Sequence, residues 1–155
     1  MNVSVLSGSD APRICYCVTL ATHGRRRLLA ESVLIFGKQE LILTSTGNAV
    51  STVWQTMPHS FTDIAINALY LMPDSICSIV TVICSGDNAD TANLRLLHRM
   101  ISGFKAETTH LYNRMSAQDY NSRLWQTAFE CKVLAPDALD AQEKQLAAQG
   151  ALQVL

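Results

Sequence analysis

Residues 13–20 (RICYCVTL) alternate, with Ile14, Tyr16, Val18 and Leu20 on one side and Cys15, Cys17 and Thr19 on the other. A period of two marks an extended strand. The turn Ala21-Thr22-His23-Gly24 follows, then a β-rich run over 26–36, a short turn at Gly37-Lys38-Gln39 and a third run over 40–46. Two tight connections between three strands predict an antiparallel meander. Thr46-Gly47-Asn48 interrupts the pattern, residues 49–57 fit no single period, and Pro58 ends them. Ser60 followed by Asp63 has the form of a helix start. Ile64, Ala65, Ala68, Leu69 and Leu71 then recur at helical spacing, predicting a helix over 60–72 that Pro73-Asp74 closes. Residues 76–84 (ICSIVTVIC) are apolar, β-branched and free of charge, the pattern of a strand covered on both faces in the middle of a sheet.

Beyond Ser85-Gly86-Asp87-Asn88, Leu94, Leu97, Ile101 and Phe104 keep helical register. They predict a helix from about residue 89 to 102, with Gly103 at its end. Residues 105–115 read as irregular. Ser116 and Asp119 suggest another helix start, leading through Trp125, and residues 129–133 alternate as a fifth strand. Ala135-Pro136-Asp137 opens a last helix with Leu139, Gln142 and Leu146 inward and Gly150 as its stop, since proline suits an early helical position. The expected fold is therefore α/β over residues 1–155. It is a mixed five-stranded sheet, a three-strand meander followed by strands alternating with helices, with an extension at 1–12 and a tail at 151–155.

Composition narrows the classes of function. Charged residues make up 16% of the 155 and hydrophobic ones 48%, where roughly 25% charged is ordinary. Such a chain is not a disordered one. Twelve Lys+Arg against 13 Asp+Glu leave a net charge of −1. Non-specific polyanion affinity needs surplus cations, so any nucleic-acid contact must come from a local patch. Few charges and near-zero net charge favour self-association, which predicts a homo-oligomer or a subunit of a protein complex. Residues 1–12 have no basic leader pattern and no apolar run approaches a membrane span. Cys15, Cys17, Cys77, Cys84 and Cys131 are odd in number with apolar neighbours. They read as reduced core thiols of a cytoplasmic protein, with Cys15-x-Cys17 sharing a strand face rather than half a metal site.

Arg25-Arg26-Arg27 is the only basic run. It reads either as a solvated turn that discourages edge pairing or as a phosphate contact. Arg95, Arg99 and Lys105 add basic character around the following helix, and the two clusters form a nucleic-acid patch if they share a face. Asp87 and Asn88 follow the apolar strand, where either helix capping or a ligand site is expected. His23, His59, His98 and His110 are scattered.

Four segments, taken with the order of elements, resemble the ribonuclease H-like superfamily over about residues 13–150. They are Asp63-Ile-Ala-Ile-Asn-Ala-Leu-Tyr-Leu, the run VTVICSGDN at 80–88, NSRLWQ at 121–126 and the helix at 138–149. The resemblance implies hydrolysis of RNA in RNA–DNA hybrids by divalent metals held on carboxylates. Asp87 matches one such position, Asp63 lies near a second, and Asp137 or Asp140 near a third. The strand-one position is empty, because no acid stands between Asp10 and Glu31. The resemblance thus implies a degenerate member, a pseudoenzyme without a cofactor. It would act by binding nucleic acid or protein through Arg25, Arg26, Arg27, Arg95, Arg99 and Lys105. The rival expectation is a divergent Mg²⁺- or Mn²⁺-dependent ribonuclease using Glu31, Asp63, Asp87, Asp137 and Asp140.

Overall fold

The computed structural model describes residues 13–83, 89–116 and 123–155. Asp87, Asn88, Cys84, the helix start at Asp119 and the extension at 1–12 lie outside the described residues. A five-stranded sheet has the order β6-β1-β5-β4-β7. Its strands are β1 (Arg13–Ala21), β4 (Ile64–Met72), β5 (Ser75–Ile83), β6 (Glu130–Leu134) and β7 (Leu152–Gln153). All four pairings are antiparallel. The α/β class and the five-stranded sheet are those expected from sequence. The strand order is not.

The first correction concerns the meander. β2 (Ala30–Ile35) and β3 (Lys38–Leu43) pair only with each other, as a separate two-stranded ribbon. β1 pairs instead with β5 and β6. Tyr16, Cys17, Val18 and Leu20 are all buried, on both faces of the strand. Such a strand is stable in mid-sheet, whereas the ribbon carries Glu31, Lys38 and Glu40 on its exposed strands. The chain leaves the sheet at Thr22, whose N–H donates to the Asp74 carbonyl at 2.9 Å, and Leu29 N–H donates to the Pro73 carbonyl at 2.9 Å.

The second correction is that residues 64–72 form a strand and not a helix. β4 pairs with β5 through the Pro73-Asp74 turn, and the register shifts between Ile66 and Ala68. That bulge inserts one residue. Ile64, Ile66, Leu69 and Leu71 therefore face the same core although their spacing is 2, 3, 2. An irregular strand produced the apparent helical period. Conversely, residues 49–56 belong to α1 (Ser45–Thr56), capped by Thr44, whose hydroxyl accepts from Gly47 N–H at 3.0 Å.

α2 runs over Ala89–Ser116 without stopping at Gly103. Phe104 and Thr108 extend its buried face, and the Thr108 hydroxyl donates back to the Phe104 carbonyl at 2.7 Å. The segment 105–115 is thus helical. Leu124 and Trp125, expected on a further helix, lie in an irregular segment, where the Trp125 indole donates to Thr108 Oγ1 at 2.8 Å. β6 and α3 (Leu139–Ala148) occupy the positions read from sequence. β7, in the tail, pairs with β4 at the sheet edge.

Two apolar layers result. On one face, Tyr16, Val18, Leu20, Leu69, Leu71, Ile76 and Val80 pack with residues of α1 and α2. Trp54 meets Phe104 edge-on at 4.9 Å. The Trp54 indole donates to Ser78 Oγ at 2.8 Å, which donates to the Ala68 carbonyl at 2.7 Å. On the other face, Cys17, Tyr70, Cys77 and Ile79 pack under Leu146 of α3.

Close approach of α1 to residue 29 makes one position sensitive. A Cβ on Gly47 would lie 1.8 Å from the Leu29 carbonyl oxygen, and that oxygen is fixed by accepting Thr44 N–H at 3.0 Å. Gly47→Ala is expected to destabilise the fold by about 2 kcal/mol or more, read as a lower urea midpoint. An unchanged midpoint would show that α1 does not seat this tightly.

Candidate functional site: a thiol cavity beside a basic turn

The acids proposed as metal ligands do not assemble. Glu31 lies on the ribbon, Asp63 just before β4, Asp137 in the turn Pro136–Ala138 and Asp140 in the first turn of α3. Asp87 lies outside the described residues. Among the described residues no three His, Cys, Asp or Glu side chains are grouped to hold a metal.

The basic clusters separate as well. Arg25, Arg26 and Arg27 are exposed on the turn that follows β1. Gly24 and Arg25 adopt φ of 68° and 54°, a left-handed geometry uncommon for a non-glycine residue. Arg25 Nε sits 3.1 Å from Asp74 Oδ2. The Arg26 guanidinium donates to the His23 carbonyl at 3.1 Å and to the Arg123 carbonyl at 2.6 Å, and lies 6.0 Å from the Tyr112 ring. The Thr22 hydroxyl donates to the Arg26 carbonyl at 2.7 Å. Arg95 and Arg99 lie near the start of α2, where they line a cavity with Asp63. They sit about 20–25 Å along that helix from Tyr112 and on a different side of it. Lys105 donates to the carbonyls of Gln126 and Thr127 at 2.8 and 3.1 Å. Partial burial holds its pKa below the ordinary value. It fastens a loop more than it offers a charge.

A second feature was missed by sequence reasoning. β1, β5 and β6 are in register so that Thr19 stands opposite Cys77 and Glu130, and Cys17 opposite Lys132. These side chains share the face beneath α3. They line a cavity of about 290 Å³ that Gln142 of α3 and Gln149 just beyond it also border. Cys17 Sγ and Cys77 Sγ are 3.2 Å apart, and the Thr19 hydroxyl donates to Cys77 Sγ at 3.6 Å. The hydrogen bond from Cys17 pulls the Cys77 pKa down to about 7; burial opposes this, while Thr19 and Lys132 assist. Cys17 shifts upward, because its S–H is held by Cys77 and its surroundings are buried. The two thiols titrate as a coupled pair, Cys77 losing its proton more readily than Cys17. Two thiols fall short of the four ligands of a structural zinc site. The available chemistry is that of a thiolate nucleophile or a soft-ion contact beside an ammonium group. A polar set alternating on two strands, Cys17 and Thr19 with Glu130 and Lys132, was the sequence signal. It became meaningful only once β1 and β6 were known to be neighbours.

Cavity and basic turn lie at the same end of the sheet. Asp74, which holds Arg25, is three residues before Cys77, and Thr22 is three residues after Thr19.

No family model matches the chain, and no curated protein matches it. Among solved structures, a putative transposase from Deinococcus radiodurans R1 superposes with a TM-score of 0.54 and 11% identity, covering 89% of this chain and 91% of that one. That likeness shows the fold. A more distant structure is a REP-associated tyrosine transposase bound to a REP hairpin, with a TM-score of 0.45, 13% identity, and coverage of 84% of this chain and 61% of that one. The neighbour that shares the fold is described as a putative transposase, and the ribonuclease H-like resemblance is overturned. It rested on a meander that does not form and on a helix at 63–71 that is β4. Both functions drawn from it fall with it: the inactive ribonuclease H-like accessory protein and the Mg²⁺- or Mn²⁺-dependent hybrid ribonuclease. Among the described residues no helix is long and apolar enough to cross a membrane.

The thiol pair yields a pH signature. Below the Cys77 pKa the nucleophile is protonated and slow; above it the thiolate reacts. Iodoacetamide labelling read by peptide mass spectrometry should therefore rise through about pH 7 at Cys77, with Cys17 lagging. In Cys17→Ala the lost donor should move the rise toward the ordinary thiol value. A rise only near pH 9 in the parent chain, the ordinary thiol value of 9.0, would show that Cys17 does not lower the Cys77 pKa.

Proposed function

We propose that this chain binds DNA through the arginine turn at the end of its sheet. The observation that carries the reading is the fixed presentation of consecutive arginines. Asp74 anchors Arg25, while Arg26 ties the turn to Arg123 and Tyr112. Guanidinium groups suit phosphate because their planar fork donates paired hydrogen bonds. A turn already held in place loses little further freedom on binding. The left-handed Arg25 supports the same reading, since strain of this kind collects at functional sites. The name of the neighbour at TM-score 0.54, a transposase, favours DNA as the nucleic acid. With a net charge of −1, the affinity is local to this end of the molecule. No cofactor enters the reading. The described cysteines Cys15, Cys17, Cys77 and Cys131 are free, which supports a reducing, cytoplasmic setting.

Phosphate contacts release counterions, so affinity falls with salt by roughly 0.9 log units per contact on duplex and 0.7 on single strands. Filter binding of single-stranded, duplex and hairpin DNA across salt concentrations should show that dependence. Arg27→Ala and Arg123→Ala should each reduce the slope by about one contact, while Arg95→Ala, distant along α2, should leave it unchanged. Equal loss from all three substitutions, or no binding at low salt, would refute the basic turn as the contact.

A further inference from the structure

The β2–β3 ribbon stands apart from the sheet, and both of its faces carry exposed apolar side chains among polar ones. Ala30, Leu34, Leu41 and Leu43 share one face with Ser32 and Gln39, and Val33, Ile35 and Ile42 share the other with Glu31, Lys38 and Glu40. Leu34 is 67% exposed, Ile35 42%, Ile42 39% and Phe36 100%. A ribbon made only to sit in water would show alternation with one polar face, and an isolated two-stranded hairpin is marginal in water. At its tip, Phe36 and Gly37 have φ of 49° and 78°, the positive pair of a type I′ turn, which favours Asn-Gly. A phenylalanine is kept, fully exposed, where it is conformationally costly. Among the described residues nothing pairs with the outer edge of β3.

We infer that this ribbon is an association arm whose partner is the same ribbon of a second copy of this chain, β3 against β3 about a twofold axis at Gln39. The edge chemistry selects both partner and register. In a two-residue hairpin the closing pair, Ile35 and Lys38, exchanges its backbone bonds internally. The backbone groups of Gln39 and Leu41 therefore point outward. Antiparallel self-pairing of that edge has four short registers. Centred on Glu40, it sets like charges face to face. Centred on Leu41, it sets Glu40 against Ile42. Centred on Ile42, it sets Leu41 against Leu43 and leaves Lys38 and Glu40 without opposite charges. Centred on Gln39, it sets Lys38 against Glu40 of the second copy and Glu40 against its Lys38, with the Phe36 turn just beyond the paired residues. Charges on a free edge ordinarily discourage pairing; a Lys and a Glu two residues apart instead complement their own inverted copy. The contact is isologous and closes at two copies. Three β3 residues a side, Lys38 to Glu40, place it at the small end of specific interfaces, so a concentration-dependent dimer is expected.

Sedimentation velocity of the full chain over a concentration series tests this. Lys38→Glu alone and Glu40→Lys alone should each weaken dimerisation roughly tenfold or more, because like charges then face each other twice. The double variant should restore it, and an equimolar mixture of the two single variants should form the heterodimer. Both positions are exposed, so folding is not at issue. Phe36→Asn improves the turn residue and should melt no lower than the parent while associating more weakly. A parent chain that stays monomeric throughout would mean that something else, such as residues 1–12 of the same chain, covers the ribbon, and would overturn the inference. Failure of the charge swap to restore association would overturn it equally.

Discussion

The pairing of β1 with β5 is the constraint on which the other elements depend. Both strands carry apolar or small side chains on both faces, and burial reaches 0% exposure at Val18, Leu20, Ile76, Ile79 and Val80. Removing both faces from water requires a layer on each side. α1 and α2 supply one and α3 the other. Each strand also needs a further neighbour for its remaining backbone edge, which β6 and β4 provide. The hydrophobic term and the backbone hydrogen-bond requirement point to the same arrangement.

That central pairing also creates the chemistry. Cys17 and Cys77 are far apart in the chain and become neighbours only because Thr19 and Cys77 are in register. Thr22 and Asp74, at the end of the same strand pair, are joined by backbone and side-chain hydrogen bonds at 2.9 and 3.2 Å. Asp74 is thereby placed to hold Arg25. Thiolate cavity and arginine turn are two consequences of one strand register. The ribbon is the part this register does not organise. Its chain departs after Thr22 and returns through Thr44, whose hydroxyl and N–H clamp the carbonyls of Leu28 and Leu29. Between those clamps the ribbon has no layer of its own.

Legibility in the sequence followed the regularity of the pattern. β1, β5, β6 and the last helix have undisturbed periods and were readable. β4 was misread because its bulge turned a period of two into helical spacing. α2 was cut short at Gly103 because one glycine resembles a stop, although Phe104, Thr108 and Leu111 carry its inner face onward. Arg25, Arg26 and Arg27 were visible as a run, but their separation from Arg95 and Arg99 depends on the length of a helix that was read as half its size. Cys17 and Cys77 were legible as core thiols but not as a pair, because they are 60 residues apart in sequence.

By itself, the sequence determined the class of fold, the buried central strands and the uneven placing of basic residues. These follow from local periodicity and composition, which need no partner. Only the tertiary structure decided which strands are neighbours, which acids stay apart, and which thiols lie side by side. Each of those depends on strand register, and an apolar alternation is compatible with many neighbours. The strand order, with β1 between β5 and β6 and the ribbon outside the sheet, is what overturned the ribonuclease H-like reading.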